Sequence, residues 1–108
     1  MKILHLYSSS GCCSSVTLCA TGSPALIWPN YLGTYVDSQG KKQYKHSNGM
    51  YLYSQNPGTW HVAHSDGNGG WKDVIKSDAA APCPDNISQW QYYDNVDWNY
   101  GQITVSCS

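Results

Sequence analysis

The chain has 108 residues with nine Tyr, five Trp and no Phe, and its charge is sparse: six Lys, seven Asp, no Arg and no Glu, for a formal net charge of -1. At this length it holds one domain and has no room for a second. No basic field is present to draw in nucleic acid, the forked donors with which Arg grips phosphate are missing, and no segment approaches the roughly 20 apolar residues of a membrane-inserting span.

In chain order, "MKILHLYSSSG" (1–11) has an apolar run that His5 interrupts and Tyr7 ends, too short for the roughly 7–15-residue core of a signal peptide. It reads as an N-terminal tail or appended stretch, with residues 12–108 as a single β-domain. No later window keeps helical spacing, whereas short alternating runs recur between clusters of Gly, Pro, Asn and Asp. The pattern predicts strands over 15–20, 25–28, 31–36, 43–46, 50–54, 59–64, 71–76, 89–93 and 102–107. The expected fold is all-β: a small antiparallel β-sandwich or β-roll of short hairpin-connected strands, stabilised by disulfides.

Turn chemistry supports the hairpins. "DSQGK" places Gly40 in a left-handed position, "HSNGM" carries the Asn-Gly pair of two-residue turns, and "SQNPGT" joins strands 50–54 and 59–64. Lys41, Lys42 and Lys45 form the basic cluster of the chain and read as a solvated turn. Within 50–64, alternation sends Met50, Leu52, Trp60 and Val62 to the core and Tyr51, Tyr53 and His61 to the opposite face. "SDAAAPCPD" (77–85) does not alternate, and Pro82 and Pro84 hold it extended as a surface crossing that a disulfide would pin.

Five cysteines in so short a chain fit an oxidising compartment, so a secreted, extracellular protein is expected. Val16 and Leu18 point one way and Cys19 the other, while Ile103, Val105 and Cys107 share a side, which places Cys107 inward and Cys19 outward. Bonding adjacent Cys12 and Cys13 to each other would force a strained ring. Each therefore takes one of Cys83 and Cys107, with the assignment open, closing loops of about 70 to 95 residues. Cys19 is left over, either a small buried hydrophobe or an interface thiol that a partner consumes.

Chemical motifs are few. A zinc site lacks its ligand spacing, and "HVAH" puts His61 and His64 on opposite faces of a strand. "HSDGNGGWKD" starts like a calcium loop, but Gly70 and Ser77 stand where an EF-hand needs oxygen ligands; a non-EF loop of Asp66, Asn68 and Asp73 competes with a flexible Gly-rich loop. Of the carboxylates only Asp94 and Asp97 are close in sequence, and no nucleophile sits in a recognisable elbow, so neither an enzyme nor a cofactor is expected. "NIS" makes Asn86 a glycosylation candidate. Residues 90–100 concentrate Trp90, Tyr92, Tyr93, Trp98 and Tyr100, interleaved with Asp94, Asn95, Asp97 and Asn99 as hydroxyl acceptors. With Tyr51, Tyr53 and His61 these rings form the candidate binding surface, open between core packing, a protein interface and a glycan site. Rings that all carry O–H or N–H suit half-buried positions with one wet edge.

The runs "CCSSVTL", "YLGTYVDSQGKKQYKHSNGMYLYSQNPGTWHVA" and "APCPDNISQWQYYDNVDWNYGQITVSC" together resemble a small cysteine-containing β-repeat of secreted and cell-surface mosaic proteins of marine invertebrates such as sponges, cnidarians and lancelets. The resemblance covers residues 12–108 and rests on the order and spacing of short motifs. It matches Cys12, Cys13, Cys83 and Cys107 to the repeat's cysteines, and Gly33, Tyr35, Tyr51, Tyr53, Trp60 and Trp90 to its motif positions; Cys19 departs from it. It implies an extracellular building block with no catalytic residues to carry over. The expectation is thus a non-catalytic interaction or structural-matrix module, docking to another extracellular protein or self-assembling in a scaffold, including a mineralised one. A lectin using residues 90–100 is the alternative.

Overall fold

The computed structural model describes residues 12–38, 43–55 and 58–108; the tail 1–11, the Gly40 turn with Lys41 and Lys42, and the centre of the "SQNPGT" turn lie outside the described residues. Eight strands run in order: β1 (Ser15–Thr21), β2 (Gly33–Asp37), β3 (Gln43–His46), β4 (Tyr51–Gln55), β5 (Thr59–Ser65), β6 (Trp71–Ser77), β7 (Trp90–Tyr93) and β8 (Trp98–Cys107). Each pairs antiparallel with the next, and β8 returns to pair with β1, closing a barrel.

Closure corrects the expected sandwich or roll. Alternation and turn residues specify strands and hairpins, but they do not say whether the first and last strands meet. Here Leu18 lies opposite Val105 and Ala20 opposite Ile103, so the inward rows of the terminal strands join one core. A closed ladder also leaves no edge strand open to another chain.

The strand expected at 25–28 is instead a short helix, α1 (Ser23–Ile27), with Pro24 in its first turn, followed by a 3-10 helix (Pro29–Tyr31). Proline's fixed φ suits a helix start, and a short apolar run such as "ALIW" does not distinguish strand from helix by periodicity. The "HSNGM" turn differs too. Gly49 N–H donates to His46 O at 2.9 Å, so Ser47 and Asn48 are the central residues and Gly49, at φ 93°, follows in the left-handed conformation. Its backbone is that of a three-residue loop rather than a two-residue Asn-Gly turn.

An eight-stranded barrel has an interior just wide enough for side chains to fill. Val16, Leu18, Tyr35, Tyr44, Leu52, Trp60, Val62, Ile75 and Trp90 fill it, with Met50 at its margin. Three of the buried rings use a polar edge that Phe lacks, whereas Trp90 Nε1 has no partner among the described residues. Tyr35 donates to Tyr31 O at 2.6 Å, Tyr44 to Cys13 O at 2.7 Å, and Trp60 Nε1 to Ala81 O at 2.9 Å. These polar edges are therefore bonded to loop carbonyls rather than wet, and each ring ties a connection to the core. Burial, with the charges of Asp37 and Asp85 adding to it, pushes the Tyr44 phenol up to about 12.

The 77–85 segment crosses between β6 and β7, but Ser77 belongs to β6, and Pro84 is buried and opens a 3-10 helix (Pro84–Asn86) rather than holding the chain extended. Cys12 bonds to Cys83 and Cys13 to Cys107, with Cα separations of 5.4 and 5.7 Å, anchoring the chain before β1 to the crossing and to the end of β8. Long-loop bridges of this kind contribute typically about 2–4 kcal/mol each. Cys107 keeps the parity of Ile103 and Val105 but is exposed, because it is the last residue of β8, beyond the packed interior. Cys19 is free and exposed, opposite Thr104, so it is not the small buried hydrophobe.

Candidate functional site

With the interior filled, chemistry open to partners lies on the outer wall, and a bulge shapes it. Val62 pairs with Ile75 but Ala63 pairs with Asp73, leaving Val74 as the extra residue in β6. Val74 and Ile75 are both buried, and Asp73 and Lys76 therefore stand on the same outer side as His61 despite their odd spacing.

On that wall Tyr53 O–H donates to Asp73 Oδ1 at 2.7 Å, and His61 Nδ1 lies 3.0 Å from Asp73 Oδ2. His61 stacks on Tyr53 at a centroid distance of 5.4 Å, and its Nε2 is 3.0 Å from the Thr59 hydroxyl. The 3.0 Å approach of His61 Nδ1 to Asp73 is a close polar contact without hydrogen-bond alignment, so Tyr53 is the donor that Asp73 holds on this wall. Burial works against the Asp73 carboxylate, but the nearby His61, the bond from Tyr53 and the charge of Lys76 more than offset it and hold its pKa below the ordinary range. Burial, then the bond to Asp73 and its charge, raise the Tyr53 phenol. His61 is thus buried within the wall rather than displayed on it.

Beside this network Trp71 is 52% exposed and meets Tyr51 edge to face, with ring centroids 5.0 Å apart and planes at 79°. The Lys45 ammonium lies 5.7 Å from the Tyr51 ring centroid. Gln43, Tyr51, Tyr53, Ser54, Gln55 and Trp71 line a cleft of about 420 Å³ at this corner. Trp71 is absent from the sequence-derived surface, and the bulge makes its side hard to read. Counting alternately back from the apolar Ile75 sends Trp71 inward, whereas the extra residue turns it out.

The 90–100 stretch is divided. Trp90 and Tyr92 are core residues, 0% and 8% exposed, as the alternation within "WQYY" itself implies. Tyr93 and Trp98 are half-buried and pack together at 5.5 Å, with Lys76 Nζ 4.3 Å above Trp98 and Lys72 Nζ 5.9 Å from Tyr93. Tyr100 is exposed and donates to Asp78 at 3.0 Å. Asp94 does not serve as a free hydroxyl acceptor: Val96 and Asp97 N–H donate to its Oδ1 at 2.8 and 2.7 Å, and Asn99 to its Oδ2 at 2.7 Å.

The calcium candidates have separate partners. Asp66 Oδ1 accepts from Asn68 and Gly70 N–H at 2.7 and 3.0 Å, bonds that lower its pKa, while Asp73 accepts from Tyr53 and faces His61. Asp85 groups with Cys13 and Cys107, but both sulfurs belong to the disulfide. Asn86 is exposed at the end of a 3-10 helix, Pro84–Asn86. A second cleft, of about 440 Å³, separates the start of α1 from β8 and is lined by Pro24, Tyr92, Tyr100 and Thr104 among others. Among the described residues no helix is long and apolar enough to cross a membrane. No family model, curated protein or solved structure matches this chain.

Proposed function

We propose that the domain is a non-catalytic extracellular binding module that works through the outer wall of its barrel, docking to a matrix component or to another extracellular protein. The observation that carries this reading is the Trp71–Tyr51 corner, a large ring 52% exposed beside a polar-lined cleft on a wall ordered by Asp73. Two long-range disulfides suit an oxidising, extracellular-type environment, and a packed interior leaves recognition to the outside. The reading also suits the secreted β-repeat that the motifs resemble. Recognition by residues 90–100 has less support, since two of the five rings are core and Lys76 covers Trp98.

The test is binding to an array of extracellular-matrix proteins and glycans, with Tyr51→Ala and Trp71→Ala compared with the unsubstituted protein. Both substitutions are expected to remove the bound signal while the thermal midpoint moves little, as for other half-exposed rings. Unchanged binding by both variants would overturn the assignment.

A further inference from the structure

The geometry points to a subsite for one neutral pyranose ring at the Trp71–Tyr51 corner, an inference that rests on the binding-module reading and names its ligand class. The lining decides the charge. Gln43, Tyr51, Tyr53, Ser54, Gln55 and Trp71 include no side chain that is ionised at neutral pH. The Asp73 carboxylate behind the cleft already accepts from Tyr53 and lies 3.0 Å from His61 Nδ1, and the Lys45 ammonium lies 5.7 Å from the Tyr51 ring centroid. Among the described residues, an anionic ligand would meet no forked donor here, only the Lys45 ammonium beside Tyr51, and a cationic one no carboxylate free of a partner.

A pyranose ring with equatorial hydroxyls has the complementary chemistry: a flat apolar face of axial C–H groups and a rim that both donates and accepts. The exposed indole of Trp71 supplies the platform, with Tyr51 as a wall at 79° to it. The amides of Gln43 and Gln55 and the hydroxyl of Ser54 offer donors and acceptors to the rim. The cleft, about 420 Å³, is within the usual size of small-ligand sites. Tyr53 is already held by its bond to Asp73 and its stack on His61, so little ordering cost remains at that side of the cleft. Trp98 lacks this openness, since Lys76 Nζ sits 4.3 Å over its ring.

The folded protein, labelled with nitrogen-15, is titrated with cellohexaose, chitohexaose and, as an anionic comparator, a heparin hexasaccharide. At least one neutral sugar is expected to shift the Trp71 indole N–H and the Gln43 and Gln55 side-chain amides, and the anionic one to leave them in place. Trp71→Ala is expected to weaken that binding about tenfold or more, the loss of a stacked ring, with the rest of the spectrum retained. Trp71→Phe, which keeps an aromatic face, is expected to recover part of the affinity. Shifts centred on Trp98 and Tyr100, preference for the heparin fragment, or equal affinity of Trp71→Ala would each overturn the subsite. If no neutral sugar binds while array binding still depends on Trp71, the sugar inference falls and the module reading stands. If array binding is indifferent to Trp71 as well, both fall.

Discussion

Two stretches carry most of the rings on the β4–β8 side, and the barrel treats them differently. On β4–β6, Trp71 stands open at the mouth of a cleft while Asp73 orders Tyr53 behind it; on β7–β8, Trp90 and Tyr92 are spent on the core, Tyr93 and Trp98 lie beneath lysines, and Tyr100 stays exposed with its hydroxyl on Asp78. The 90–100 stretch is the denser in aromatics, yet four of its five rings are buried or half-buried and Tyr100 alone is open. Ring density along a sequence therefore measures packing demand as much as recognition. What distinguishes a platform is the absence of an internal partner for its face.

The largest expected effect sharpens this contrast. Trp90→Ala empties a fully buried site and should cost about 3–5 kcal/mol, whereas Trp71→Ala, at a half-exposed position, should cost less than about 1 kcal/mol; urea denaturation of the pair measures the gap. Similar midpoints for the two would break the division between core and wall.

Next comes the network behind the cleft. Asp73→Asn removes a charge that takes a bond from Tyr53 and faces His61 at 3.0 Å, at a cost of about 1–3 kcal/mol at neutral pH. Because the folded-state pKa of Asp73 is depressed, its stabilisation is present above the unfolded value near 3.9 and is lost as pH falls through the folded one. The stability gap between the variant and the parent should therefore close below about pH 4.

A smaller effect separates buried phenols from exposed ones. Tyr44, raised to about 12, contributes stability that is complete below the ordinary phenol value of about 10 and lost between there and its folded pKa. Tyr44→Phe should leave the Cys13 carbonyl without its donor, at about 1 kcal/mol, and flatten the alkaline decline followed by phenolate absorbance. The smallest effect tests the covered patch. Lys76→Gln should cost about 0.5–1 kcal/mol and make Trp98 more accessible to a neutral fluorescence quencher; unaltered quenching would show that the lysine does not cover the ring.

Much of the hairpin framework was legible because alternation is unbroken there. Met50, Leu52, Trp60 and Val62 are core residues, and Tyr51 and Tyr53 stand opposite, as the pattern requires. The cysteine pattern was legible in part: the strain of a vicinal pair leaves Cys83 and Cys107 as acceptors and parity puts Cys19 outside, but the same parity sends Cys107 inward, whereas at the end of β8 it is exposed. Barrel closure was not legible in local patterns, although a bridge from Cys13 to the last strand already demands that the chain's two ends approach. The site itself was hidden by one residue. Val74 and Ile75 are both apolar and give opposite parities for Trp71, and only the bulge, which brings Asp73 and Lys76 onto one side, decides that the count runs back from Val74.

Hydroxyl-radical footprinting, free and bound to whichever matrix component the array identifies, compares the two stretches in one sample. Trp71 and Tyr51 are expected to lose labelling on binding while Trp98 and Tyr100 keep theirs. Protection of Trp98 and Tyr100 with Trp71 unchanged would contradict recognition through the β4–β6 wall.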